Sequence, residues 1–340
     1  MKRRTFMFAG IGGAAFGATS MLPAPAAGQF ARGEDIGDGR RLYAGADLAF
    51  GTTIAVQVAH TDAAIATLAI EDALHAAKRI DHLMSLHRPD SAVMRLNRTQ
   101  RLLQPDAHVQ AVLGFAQQLS AHTGGAFDIT VQPLWQAYAA AAARGGLPSA
   151  AERAAALAAT GYRRLRVSAE VVQLEPGMAI TLNGLAQGYA VDQARAALQA
   201  RGITQALLDT GEFGACGRKS AVRPWSIGIR DPRDASMLAT AIAMDSRCVA
   251  TSGDYECTFS ADFLHHHIFD PALGASPTEL ASVTVLAPTG LKADGWSTAF
   301  MVMGSRRALA LAATLPSIDV MVIDKQGRIR SSAGFPGHAG

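Results

Sequence analysis

Gly184 and Gly188 stand four residues apart in Leu182-Asn183-Gly184-Leu185-Ala186-Gln187-Gly188-Tyr189-Ala190-Val191-Asp192, at the head of an alanine-rich helical pattern. Glycine removes the side chain that would hold a neighbour off, so the backbone is free to approach one closely. Two kinds of neighbour suit the pattern. One is a packed secondary-structure element; the other is an anion, met by loop N–H groups and the start of the following helix. The stretch is neither a GxGxxG nor a Walker loop, and it holds no Lys or Arg to balance a phosphate. Spacing alone does not choose between the two.

The rest of the chain frames that stretch with mixed elements. Residues 50–58 end in alternation and are predicted as a strand. Asp62 is placed to cap a helix reaching about Leu86, with Ile65, Leu68, Leu74, Ile80 and Leu83 as its apolar stripe. A second helix is expected over 106–122, and Gly124-Gly125-Ala126-Phe127-Asp128-Ile129-Thr130 breaks its pattern. Ser149 and Glu152 make a capping box, and Gly161 closes the helix they begin. Short strands are expected near 165–167, 171–174, 206–209, 225–229 and 283–287, then helices from 292 and a hairpin turning at Asp324-Lys325-Gln326-Gly327. There is no regular βαβ rhythm, repeat or long linker, so the predicted class is α+β.

The chain opens Met1-Lys2-Arg3-Arg4-Thr5-Phe6-Met7-Phe8, runs on in weakly apolar Gly and Ala to Leu22, and reaches Pro23-Ala24-Pro25-Ala26-Ala27. A basic head, an apolar run and an A-x-A site make a secretory signal, and the paired arginines make it the twin-arginine kind. Residues 1–26 are expected to be removed, leaving one domain over 27–340 in the bacterial periplasm. Gly and Ala dilute the run too far for a membrane anchor, and no later stretch is apolar enough to span. The formal charge is +3, which Lys2, Arg3 and Arg4 supply, so the mature chain carries 3 − 3 = 0. Such a chain lacks the cationic excess that nucleic-acid binding draws on. Cys216, Cys248 and Cys257 leave at least one cysteine unpaired, match no zinc spacing and read as small buried hydrophobes.

Asp294 and Thr298, at i and i+4, share a helical face. A carboxylate beside a hydroxyl offers oxygen ligands of the kind Mg²⁺ takes, and the same pair also serves as a solvated face or a helix cap. In an extended segment His265 and His267 would share one face and His266 the other. Consecutive imidazoles rarely converge on zinc, so a histidine base or a core-filling histidine is the better reading. Asp128, after Gly124-Gly125-Ala126-Phe127, reads as a turn former.

Taken together, these segments resemble one family in order and spacing, the ApbE-type FAD:protein FMN transferases, from about Phe50 to Gly304. The matching stretches are Ser85 to Asn97, Gly125 to Leu134, Asn183 to Asp192, Trp225 to Pro232, Ala250 to Tyr255, His267 to Pro271 with Gly274, and Ala293 to Ala299. The resemblance implies an enzyme that binds FAD and Mg²⁺, transfers FMN to a Thr or Ser hydroxyl of a partner protein and releases AMP. It implies the Gly184 carbonyl, Asp294 and Thr298 as metal ligands, the ion doing the work of the missing lysine beside the FAD pyrophosphate. It implies His267 as the base, with metal-bound Asp294 a poorer one. FAD recognition is implied for Phe50, His87, Ala126, Phe127, Asp128, Thr181, Gln187 and Ile268.

Four positions depart from the family pattern: Phe50 stands for Met, His87 for a frequent Tyr, Thr181 for Asp and Gln187 for Lys. The last two remove one charge of each sign. With the twin-arginine head, Gln187 makes the chain similar to the branch linked to nitrous-oxide reductase maturation, whose flavin acceptor would be a membrane flavoprotein. The competing functions are a periplasmic FAD carrier without transfer and a Mg²⁺-dependent FAD pyrophosphatase with water as acceptor. Intact Asp294, Thr298 and His267 favour catalysis over binding alone.

Overall fold

The computed structural model describes residues 30–337, so the signal expected over 1–26 lies outside the described residues. Three strands come first, β1 (Phe30–Gly37), β2 (Arg40–Ala49) and β3 (Thr52–His60). Helices α1 (Ala63–Met84) and α2 (Ala92–Thr99), the short β4 (Arg101–Leu103), and helices α3 (Ala107–His122), α4 (Gln132–Ala143) and α5 (Ala150–Ala158) follow. Next are β5 (Arg166–Val167), β6 (Val171–Gln173), α6 (Ala186–Ala200), β7 (Ala206–Asp209), β8 (Phe213–Cys216), β9 (Ser226–Arg230) and β10 (Leu238–Ala243). The chain closes with β11 (Cys248–Gly253), β12 (Leu280–Ala287), α7 (Gly290–Met303), α8 (Ser305–Ala312), β13 (Asp319–Asp324) and β14 (Ile329–Ser331).

One nine-stranded sheet, ordered β1-β2-β3-β7-β8-β11-β12-β13-β14, organises the molecule, with β4, β6 and β5 as a separate small sheet. Every strand pairing among the described residues is antiparallel. Helices and strands are therefore segregated in layers rather than wound through parallel crossovers, which is the expected α+β class. Helices α1, α6 and α7 pack on one face of the large sheet. The β9–β10 hairpin covers the other, where Trp225, Ile227, Ile229 and Ile242 meet Leu207, Val249, Leu286 and Met321. Each such large side chain, once buried, contributes roughly 1.5–3 kcal/mol.

Local signals in the sequence account for most element ends. Asp62 caps α1 by accepting from the Ala64 and Ile65 N–H groups, and Ser149 with Glu152 completes the capping box of α5. The stripe expected on α1 is corrected by the structure. Ile65 and Leu68 are exposed, and the buried face is Ala66, Ala69, Ile70, Ala73, Leu74, Ala77, Ile80 and Met84. Small alanines there let α1 lie close against α6, and bulkier residues would not fit that approach. The strand expected from Phe50 begins two residues later, because Phe50 and Gly51 form the β2–β3 turn with φ of 56° and 75°. Of the cysteines, Cys216 and Cys248 are buried as expected and Cys257 is half-buried; all three are free thiols. No helix among the described residues is long and apolar enough to cross a membrane.

Candidate active site

The opening glycines serve helix packing first. Gly188 in α6 and Gly290 at the head of α7 lie back to back. A Cβ on Gly188 would stand 2.2 Å from the Gly290 carbonyl oxygen, and one on Gly290 would stand 2.1 Å from that of Gly188. Neither position admits a side chain. The contact brings the Gly188 N–H to 3.0 Å from Asp294 Oδ2, and a Cβ on Gly184 would come 2.8 Å from Thr298 Oγ1. Gly184, Asp294 and Thr298 thus meet at one helix crossing.

Asp192, the last residue of the same stretch, fixes the angle of that crossing. Its carboxylate accepts the Gly290 N–H at 2.8 Å and the Leu291 N–H at 2.9 Å, capping α7 from a different helix. The sequence reading missed this role. Its only trace there is a carboxylate at the end of the glycine stretch, and nothing local connects it to Gly290.

Several buried carboxyl groups surround the crossing. Burial pushes the Asp294 carboxyl up to about 7, and the Gly188 N–H opposes this. Glu212, whose carboxylate accepts the Thr251 N–H at 3.1 Å, is raised well above the usual range by burial and then by Asp294. Burial likewise lifts Asp209 to about 6. Ser252 Oγ lies 2.8 Å from Ser297 Oγ and 3.2 Å from Thr298 Oγ1, so three hydroxyls cluster beside Asp294.

No group of three His, Cys, Asp or Glu side chains gathers as a metal ligand set among the described residues. The donors at the crossing are of another kind, one carboxylate, one hydroxyl and the backbone of Gly184, all hard oxygens of the sort Mg²⁺ prefers. Asp294 is 4% exposed and receives a backbone N–H but no cationic side chain among the described residues. A buried carboxylate in that position lacks a counter-charge. The residues therefore fit a divalent cation.

The three consecutive histidines take different partners, and His266 turns away from its neighbours into the core, as alternation requires. His266 is fully buried, its Nε2 lies 3.0 Å from the Pro277 carbonyl, and burial lowers its pKa to about 4. His265 leans on Tyr138. His267 Nδ1 lies 3.3 Å from the Cys257 carbonyl. A carbonyl only accepts, so Nδ1 carries the proton and Nε2 keeps its lone pair. Burial lowers the His267 pKa, with the Cys257 carbonyl and Asp254 opposing. Glu256, next to Cys257, is close enough to Glu212 to raise its pKa, as Asp294 is. Glu256 thus brings the segment that pairs with His267 within electrostatic reach of Glu212.

The remaining expected residues fall in three places. The Phe50 N–H donates to Asp81 Oδ1 at 3.0 Å, and Arg88 Nε donates to Asp81 Oδ2 at 2.7 Å, so one buried carboxylate joins the Phe50 turn to the loop of exposed His87. Asp128 is engaged internally, accepting from the Thr130 N–H and hydroxyl and from the Tyr162 N–H. It is the turn former the sequence suggested. Half-buried Ala126 precedes it, and Phe127 and Ile268 belong to the core. The Thr181 N–H donates to the Ile129 carbonyl, which ties Thr181 to the Asp128 turn. Gln187 Nε2 donates to the Thr210 carbonyl at 3.1 Å, and the Thr210 hydroxyl returns a bond to the Gln187 carbonyl. Gln187 thus braces the 210–212 loop that carries Glu212.

Comparison with known proteins gives a consistent picture. Residues 50–322 match the sequence profile of the ApbE family. The FAD:protein FMN transferase of Salmonella typhimurium is 33% identical over 261 residues, covering 73% of this chain and 74% of that protein. The FAD:protein FMN transferase of Treponema pallidum is 30% identical over 319 residues, covering 87% and 88%. The crystal structure of the ApbE protein from Thermotoga maritima superposes with a TM-score of 0.76 at 30% identity, covering 86% of this chain and 97% of that one.

Proposed function

The chain belongs to the ApbE family, and from that premise we propose that it is an FAD:protein flavin transferase that moves FMN from FAD to a Thr or Ser hydroxyl of an acceptor protein. The observation that carries this reading is Asp294, a carboxyl buried at a glycine–glycine helix crossing without a cationic neighbour, one helical turn from Thr298.

His267 takes the acceptor's proton through Nε2, since its Nδ1–H is held by the Cys257 carbonyl and burial keeps the ring neutral near pH 7. The freed oxygen forms a bond to the FMN-side phosphorus. The bond from that phosphorus to the bridging oxygen breaks, and AMP leaves with the bridging oxygen and its electron pair. Mg²⁺ would be held by the Gly184 carbonyl, Asp294 and Thr298, and when bound would neutralise diphosphate charge. Asp192 and the Gly188–Gly290 contact hold these oxygens in place before substrate arrives, which is the positional part of the catalysis. Phe50, His87, Ala126, Phe127, Asp128, Thr181, Gln187 and Ile268 are proposed to shape the FAD site, with Phe127, Asp128 and Ile268 acting through the backbone they fix.

The twin-arginine head supports export of the folded enzyme to the periplasm, with 27–340 as the mature domain. Together with Gln187 it supports a membrane flavoprotein of nitrous-oxide reductase maturation as the acceptor. Incubation with FAD and the acceptor protein, with and without Mg²⁺, tests the chemistry. AMP release that requires Mg²⁺ and disappears in Asp294→Ala is the expected result. AMP with free FMN and no labelled protein would point to the pyrophosphatase. Bound FAD with no AMP would leave a carrier and overturn the proposal.

A further inference from the structure

Between β11 and β12 the chain runs through residues 254–279 without a regular strand or helix. Part of it folds back as a narrow ribbon. The Phe259 N–H donates to the His265 carbonyl at 2.7 Å, the His267 N–H to the Cys257 carbonyl at 3.0 Å, and Thr258 stands opposite His266. At the tip, Asp262 Oδ1 accepts the Leu264 N–H, and Phe263 sits in the left-handed region at φ 58°. A two-stranded ribbon this short is marginal by itself. His267 lies at its base, so any slip of the ribbon moves the imidazole.

Two cationic side chains from outside the ribbon grip that tip, and one buried carboxylate, Asp254, holds both of them. Lys325, in the β13–β14 turn, donates through Nζ to the Phe263 carbonyl at 2.5 Å and to Asp254 Oδ2 at 2.8 Å. Arg233, just past β9, donates to both Asp254 oxygens at 2.7 Å, and its guanidinium lies 4.4 Å from the centre of the Phe263 ring. Asp254 is 0% exposed. It follows directly on β11, whose Ser252 touches Thr298.

We propose that Arg233, Asp254 and Lys325 are positioning residues that lock the ribbon tip and thereby set His267 against the Asp294 site. Apolar residues would stabilise a plain surface turn as well as a buried ion triad does. What the triad adds is direction. A bidentate fork and a single ammonium, both on one carboxylate, fix the tip relative to β11 at defined angles. Arg233 and Lys325 line a groove of about 440 Å³ with Leu238, Ile323 and Ile329, while Asp254 between them is fully buried.

The inference rests on His267 being the base, and its test separates the two claims. Lys325→Met leaves Asp254 paired with Arg233; Phe263→Ala removes the stacked ring and keeps the carbonyl. Amide exchange at Phe259 and His267, FAD affinity by flavin fluorescence, and single-turnover AMP release are compared with the full mature chain. The probe acceptor is the flavin-accepting domain of the membrane flavoprotein proposed above. Both variants are expected to exchange these amides faster and to release AMP about tenfold more slowly, with FAD affinity held within about twofold. Unchanged exchange and rate would overturn the lock, as would a parallel loss of FAD affinity. A wild-type chain that releases no AMP would contradict the transfer reading, and the exchange comparison would still decide the lock.

Discussion

In the proposed mechanism the proton-transfer step falls on His267. A base must be neutral to act, so the rate falls as pH drops through its pKa, and burial places that pKa below the ordinary 6.5. The acid limb of single-turnover AMP release is therefore expected under pH 6.5. In His267→Gln the limb is expected to flatten and the rate to fall by about a hundredfold or more. A limb that survives unchanged in the variant would assign the proton to another group. At this scale the sequence was only partly legible. Alternation separated His266 from its neighbours, and the structure seats it in the core. The tautomer of His267 depends on the Cys257 carbonyl, a contact across the ribbon that no local pattern encodes. Asp128 illustrates the converse, since its turn-forming role follows from Gly124-Gly125 beside it and is what the structure shows.

The crossing of α6 and α7 governs the candidate metal site as a unit. Gly188→Ala would drive a methyl to 2.2 Å from the Gly290 carbonyl and 2.6 Å from the Asp294 Cβ. Backbone cannot yield there as a flexible side chain would. A loss of about 1–3 kcal/mol in unfolding free energy is expected, together with a smaller thermal shift on adding Mg²⁺ because Asp294 is displaced. Differential scanning with and without the ion checks both. Elements with strong local signals were legible: Asp62 and Ser149 each cap the helix that follows them. The buried face of α1 was not. Large residues are expected inside, but close contact with α6 selects Ala66, Ala69, Ala73 and Ala77 and turns Ile65 and Leu68 outward. Helix α4 was also missed, because Pro133 at its start and the preceding glycine run look like loop until the fold supplies Tyr138 with Phe269 to pack against.

Taken whole, the molecule sets α7 against β11 within a nine-stranded antiparallel sheet, and the chain leaves β11 toward the ribbon. The class was readable from the missing βαβ rhythm; the strand order was not, because pairings such as β3 with β7 and β8 with β11 join distant residues. Export belongs to this scale as well. Replacing Arg3 and Arg4 by Lys is expected to leave the full-length chain unprocessed in the cytoplasm, and fractionation with N-terminal sequencing shows whether mature protein begins near Ala27. The central claim is transfer to protein, and the intact mass of the acceptor tests it most directly. Mature enzyme, FAD, Mg²⁺ and acceptor are expected to yield an acceptor heavier by FMN less one water, with matching AMP, and neither in Asp294→Ala. An acceptor of unchanged mass while AMP and free FMN accumulate would contradict transfer and leave water as the nucleophile.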